Sequence, residues 1–204
     1  MNKLKKSEVI IIGAGRNANL LTCVLEKNNI KIKAILDDNP KDRVLDYIVN
    51  SIDTYPLENS SLIISIASPK IRHEMDVRLS NKNIDWYCYI DPLAFTHHHI
   101  TVGEGSFIAP FAFCSNAKIG KHCMILPHVG LGSGVEIGDY SLISHGATIA
   151  SETTIGSGCT IGMGARISAG LKIGNNCRIS SNTVVRRNMP DGTLAVQKSK
   201  TIIF

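Results

Sequence analysis

The sequence predicts two domains of different class, a small Rossmann-like α/β domain over residues 1–95 and a parallel β-helix over residues 96–204. Three observations predict it. Short apolar runs alternate with helix-forming stretches as far as about residue 90, a large apolar residue then returns at every sixth position, and an Ile-Gly pair recurs every 18 residues. Composition agrees: with 44% hydrophobic but only 5% aromatic residues, bulk must come from aliphatic side chains, as a repetitive β core requires.

In the first half, VIIIGAG (residues 9–15) reads as a short buried strand closed by a glycine turn, and NANLLTCVLEKNN as the helix after it. IKIKAILDDNP is a second strand ending in two aspartates and a proline-marked turn. SLIISIASP is a third, KIRHEMDVRLSNKN a second helix, and DWYCYID a fourth strand. Strands separated by helices imply a parallel sheet with helices packed on it.

In the second half, counting in sixes from Phe107 through Phe113, Ile119 and Ile125 to Val185 meets an apolar residue at each step. The pairs Ile119-Gly120, Ile137-Gly138, Ile155-Gly156 and Ile173-Gly174 lie 18 apart, so three hexapeptides make one triangular coil. Cys123, Ser141, Cys159 and Cys177 stand two residues before apolar positions and share their inward side, which makes them small core fillers. No metal site is expected: paired cysteine ligands and convergent histidines are missing, and the consecutive His97, His98 and His99 cannot all point one way along a strand. That run reads as a cap over the solenoid end. A solenoid of this kind exposes prism faces that one chain leaves uncovered, which predicts oligomerisation through the prisms.

The net charge of +5 is modest, and the basic residues are scattered, with small concentrations at Lys3, Lys5, Lys6 and at Lys198, Lys200. No nucleic-acid-binding motif accompanies them, so no nucleic acid partner is expected. VIIIGAG is too short and too glycine-broken for a signal peptide, and no stretch is long enough to span a bilayer, so no membrane insertion is expected. Six cysteines without a CxxC pair fit a cytoplasmic protein.

Gly13-Ala14-Gly15-Arg16-Asn17-Ala18 has the GxGxxG/A spacing between a strand and a helix, with Asp37 about twenty residues on. Glycines there let a backbone approach a phosphate at a helix N-terminus, and Arg16 can face the same phosphate. Asp37 or Asp38 is placed to accept from a ribose hydroxyl or a base N–H, and Ala67-Ser68 ends another strand at the same crevice. The alternative is that the glycines serve only the strand-to-helix turn. A hydride-transfer enzyme is not expected, because the domain is too small and nothing in it resembles a hydride-accepting site.

Taken together, IIIGAG, AILDD, IISIASPKIR and the unbroken hexapeptide array resemble the sialic-acid O-acetyltransferase and bacillosamine N-acetyltransferase type of hexapeptide sugar acyltransferase. The resemblance covers both domains in order. It implies a left-handed β-helix, a homotrimer, acetyl-CoA as co-substrate in the groove between prisms, and a nucleotide-linked sugar at the N-terminal domain. Residues Gly162, Met163, Gly164, Ser180 and Ser181 match the region along which such enzymes run pantetheine, and Lys198 and Lys200 are placed to meet the phosphates of CoA.

The family's histidine and acid, which serve as base and orienting carboxylate, fall on Ser133-Gly134, and its Gly-His-Gly loop continues here as Arg16-Asn17-Ala18. The C-terminal segment departs as well, reading GTLAVQKSKTIIF. Acetyl transfer still needs a proton acceptor. His128 and His145 lie 17 residues apart and should be neighbours on successive coils, where two imidazoles lower one another's pKa. His145 is the first candidate base because it holds the family histidine's place within its hexapeptide, and His128 is the second. His122 is read as a corner residue. The expected activity is acetyl transfer to a sugar amine or hydroxyl in surface glycan biosynthesis. The alternatives are a trimeric sugar-nucleotide-binding or assembly subunit that has lost the chemistry, and an enzyme using another acyl donor.

Overall fold

The computed structural model describes residues 8–40, 43–97 and 99–197, so the expectations placed on Lys3, Lys5, Lys6, His98, Lys198 and Lys200 lie outside the described residues. The N-terminal strands are β1 (Glu8–Ile12), β2 (Lys31–Asp37), β3 (Arg43–Val44), β4 (Tyr47–Ser51), β5 (Ser60–Ile64) and β6 (Ile84–Trp86), and the helices are α1 (Arg16–Lys27) and α2 (Pro69–Leu79). The sheet order is β3-β4-β2-β1-β5-β6, parallel except for the β3–β4 pair. The chain therefore builds outward from β1 through β2 to β4, then returns to the other side of β1. That reversal opens a crevice at the carboxyl ends of β1 and β5.

Helix α1 buries Ala18, Leu21, Val24 and Leu25, a stripe at the spacing of one helical face. On α2 the buried stripe is Arg72, Met75, Asp76 and Leu79, so two ionisable side chains point where apolar ones would be expected. The predicted fourth strand DWYCYID divides in the structure. Ile84–Trp86 closes the N-terminal sheet, whereas Tyr89–Ile90 pairs with Phe107–Ile108 and opens the β-helix, which begins before residue 96.

The β-helix is a stack of two-residue strands in three parallel sheets of seven, six and five strands. In each strand the second residue points inward, and the columns Ile119-Ile137-Ile155-Ile173 and Ile125-Ile143-Ile161-Ile179 fill the core. The sixfold count from Phe107 needs one correction. Phe107 pairs with Met124 and Phe113 with Gly130, so Ile108 and Cys114 are the inward residues, and only five positions separate Cys114 from Ile119. Phe107 and Phe113 are apolar for other reasons. Phe107 is buried under the N-terminal domain and stacks on Tyr89, and exposed Phe113 stacks on Phe95.

The small inward column is more than filler. Ser106, Cys123, Ser141, Cys159 and Cys177 are all buried, and each donates to a corner carbonyl on the next coil, as in Ser141 Oγ to Gly156 O at 2.9 Å and Cys159 Sγ to Gly174 O at 3.0 Å. The buried hydroxyls and thiols of this column are thereby given acceptors.

Outward residues distinguish the three faces. On the seven-stranded sheet Tyr89, Phe107, Met124 and Leu142 are buried with Leu21, Val24 and Leu25 of α1, so this face carries the N-terminal domain. The five-stranded face presents Thr101, Lys118, Glu136, Thr154 and Lys172. The six-stranded face begins with Phe95 and Phe113, their rings 4.9 Å apart and about half exposed. Among the described residues no helix is long and apolar enough to cross a membrane.

Candidate functional site

A cavity of about 490 Å³ fills the crevice at the ends of β1, β2 and β5. Its lining includes Gly13, Gly15, Arg16, Asp37, Asp38 and Ala67, six residues that the sequence placed together, with Asn17, Asn39, Ser65 and Met75. Ser68 stands at its edge as the N-cap of α2, its Oγ accepting from Ile71 N at 3.4 Å.

The two loop glycines have different reasons. Gly13 has φ +98 and a Cβ there would come within 2.5 Å of Ile66 Cγ1, so the turn itself requires glycine. Gly15 has ordinary backbone angles and no atom within 4 Å of an added Cβ, so the fold does not require glycine there. It opens the approach to the amino end of α1, which has no side-chain cap and no acidic residue in its first turn, and begins with Arg16. That end is electropositive and suits an anion.

The aspartates are committed to the protein. Asp37 accepts from Ala14 N at 2.8 Å and Asn39 N at 2.9 Å, which braces the glycine loop. Asp38 and Asp53 pair with Arg78 at 2.7 and 2.5 Å. Both cavity acids keep free lone pairs, but their first partners are structural.

A second polar cluster joins α2 to a corner of the β-helix, and sequence reasoning missed it. His122 occupies a left-handed corner position at φ +51, with its ring buried against Trp86 and stacked on Tyr140. Its Nε2 lies 3.3 Å from Asp76 Oδ1, yet neither ring nitrogen makes a hydrogen bond of good angle. Burial holds its pKa down at about 4, with Lys121 and Arg72 adding to the effect and Asp76 opposing it, so the imidazole is neutral at pH 7. Burial pushes Asp76 upward, but hydrogen bonds from Tyr140 at 2.5 Å and Lys121 at 3.1 Å, and the nearby His122, outweigh it and hold the carboxyl below its usual range. The His122 side chain is fully buried and that of Asp76 is 11% exposed, at the junction of α2 with the β-helix.

The candidate bases lie elsewhere. His128, at φ +60, is exposed and stacks on Phe111 at 5.2 Å, and among the described residues no ring contact joins it to His145. His145 is half-buried one coil further on at the same corner, where its carbonyl accepts from Gly164 N at 2.9 Å. Gly162, Met163, Gly164, Ser180 and Ser181 continue this corner, so the structure brings the histidines and the expected cofactor residues into one column. Met163 is exposed, whereas Gly162 is dictated by the coil, since a Cβ there would meet Ser181 N at 2.5 Å. Ser133 and Gly134 belong to a different corner, where the Glu152 carboxylate of the next coil lies over Gly134. His97 is a corner residue of the first coil, following Phe95–Thr96. Among the described residues no group of three or more His, Cys, Asp or Glu gathers as metal ligands would.

Residues 116–151 and 152–187 match the family described as bacterial transferase hexapeptide (six repeats). Both matched segments lie within the β-helix. The complete arrangement, array and N-terminal sheet together, is similar to that of a perosamine N-acetyltransferase variant from Caulobacter crescentus in complex with CoA and GDP-perosamine, at 22% identity and TM-score 0.85 over 92% of each chain. It is similar also to the acetyltransferase domain of PglB from Neisseria gonorrhoeae, at 18% identity and TM-score 0.86 over 93% of this chain and 96% of that one. WeeI from Acinetobacter baumannii superposes at 23% identity and TM-score 0.84 over 91% and 94%. By sequence, no curated protein matches. At these identities the likeness is one of fold, and it spans the hexapeptide array and the cavity-bearing domain alike.

Proposed function

We propose that this chain is an acetyltransferase that carries the acetyl group of acetyl-CoA to an amine or hydroxyl of a nucleotide-linked sugar in glycan biosynthesis, in the cytoplasm. The observation that carries the reading is the crevice cavity, with open Gly15, Arg16 and the uncapped end of α1, in a domain mounted on a hexapeptide array. Support comes from two structures with this same two-part architecture that are acetyltransferases, one of them holding CoA and GDP-perosamine. The N-terminal domain then acts as a Rossmann-like nucleotide-sugar holder and the array as a left-handed β-helix.

In this reading the phosphates rest on the glycine loop and Arg16, and the acetyl donor runs along the corner of Gly162, Met163, Gly164, Ser180 and Ser181. The sugar nitrogen or oxygen attacks the thioester carbonyl carbon, the new C–N or C–O bond forms, the C–S bond breaks, and the nucleophile's proton passes to His145, with His128 as the second candidate. CoA leaves as the thiolate and is protonated. A homotrimer is supported by apolar residues left about half exposed, Phe95 and Phe113 on the six-stranded face and Leu93 and Phe111 on the corner beside it.

His145→Ala is expected to lower kcat about 100-fold or more, the usual worth of a positioned base, with melting temperature unchanged, and assay of both histidine variants with acetyl-CoA and an aminosugar nucleotide checks it. Unchanged turnover in both would remove this corner from the mechanism. The Ser133-Gly134 corner, which has no base, favours a second reading as a binding subunit; it predicts ligand binding by the native chain with no turnover at all.

A further inference from the structure

Arg72 is fully buried in α2 without a carboxylate partner, and its guanidinium fork is spent on backbone carbonyls from both domains. Nη1 donates to Ile66 O at 2.6 Å and Ala67 O at 2.9 Å, Nε donates to His122 O at 3.0 Å, and Nη2 donates to Tyr140 O. Asp76, one turn further along the same helix, is the nearby acid, but its carboxylate takes Tyr140 and Lys121 instead. Burial lowers the Arg72 pKa only to about 10, so it remains a cation at neutral pH.

Ile66 and Ala67 line the crevice cavity, while His122 and Tyr140 are corner residues of the β-helix. One side chain therefore ties the rim of the cavity to the solenoid. Peptide planarity adds a consequence: in a trans peptide the N–H points opposite to the C=O. With the Ile66 and Ala67 carbonyls turned to Arg72, the N–H groups of Ala67 and Ser68 turn away from it, and among the described residues neither has a protein acceptor.

We propose that Arg72 is a positioning residue for ligand binding, holding the Ile66–Ser68 segment so that the Ala67 and Ser68 N–H groups are presented to a phosphate of a nucleoside diphosphate in the cavity. The proposal rests on the reading of that cavity as a nucleotide site. Lysine cannot replace this arginine, because one ammonium with three donors at a single point cannot span four carbonyls in two domains.

The test is calorimetric titration of the full chain and its variants with UDP and GDP, and separately with acetyl-CoA. Arg72→Lys is expected to weaken nucleoside diphosphate binding at least tenfold while acetyl-CoA affinity stays within twofold, a selectivity that general loosening would not produce. Ser68→Pro tests the same geometry with Arg72 in place. Ser68 has φ −71, which proline adopts, and the substitution deletes its N–H. Ser68→Ala loses the same helix cap and keeps the N–H, so Ser68→Pro should bind the nucleotide at least fivefold more weakly than Ser68→Ala. Wild-type nucleotide affinity in Arg72→Lys, or equal affinity in the two Ser68 variants, would overturn the proposal. Absence of UDP and GDP binding by the native chain would overturn the nucleotide reading itself, and this proposal with it.

Discussion

Gly138→Val is expected to destabilise the β-helix by about 3 kcal/mol or more, a loss of roughly 6–12 °C in melting temperature for a chain of this size. The cause is the close passage of the next coil. A Cβ at 138 would stand 2.5 Å from Ser157 N and 2.6 Å from Gly156 C, backbone atoms of a corner held by Gly156 N donating to Ile173 O and Ser157 N donating to Asn175 Oδ1. Gly156 and Gly174 repeat the situation, with Cβ contacts of 2.7 and 2.5 Å to the backbone nitrogens of Asn175 and Asp191. The 18-residue Ile-Gly pairs thus record two physical demands at once, an isoleucine for the core and a corner too tight for any side chain. Gly146→Ala is the control. No atom lies within 4 Å of its added Cβ, so only the backbone conformation at φ +64 is strained, at a cost of about 1 kcal/mol. Thermal unfolding of the two variants beside the native chain measures the difference, and equal stability would contradict the packing account.

A large effect on nucleotide binding is expected at Gly15. Because nothing surrounds an added Cβ there and the backbone angles are ordinary, Gly15→Val should fold like the native chain. The new side chain stands over the amino end of α1, where a phosphate must approach, and UDP or GDP affinity should fall tenfold or more. Gly13→Val, by contrast, is expected to fail as a fold, since φ +98 and the contact with Ile66 both oppose it. Titration and melting of the pair separate a glycine kept for a ligand from a glycine kept for a turn. A Gly15→Val chain with native nucleotide affinity would leave the loop with a structural role alone.

Much of this was legible in the sequence because it rests on local rules. Periodicity of six and of 18 fixed the coil, and the glycine spacing after an apolar strand led to the residues that line the cavity. What periodicity cannot supply is the reason a residue is apolar. Phe107 and Phe113 kept the sixfold count although they point outward, one covered by the N-terminal domain and one stacked on Phe95. The five-residue step between Cys114 and Ile119 was hidden behind them.

The junction was illegible for a different reason. Arg72, Asp76, His122 and Tyr140 come from parts of the chain up to 68 residues apart, and their burial is created only when the domains meet. The one local trace is that the buried stripe of α2 carries two ionisable residues, which departs from an ordinary amphipathic pattern. The predicted neighbourhood of His128 and His145 held at the level of the corner and not of the rings, because the left-handed turn at His128 directs its imidazole onto Phe111.

Donor binding tests the central claim most directly, since it requires no guess about the acceptor sugar. Calorimetric titration of the full chain with acetyl-CoA is expected to give saturable binding near one equivalent per chain. Absence of binding at millimolar acetyl-CoA would contradict the acetyltransferase reading and leave the crevice cavity as the site to explain.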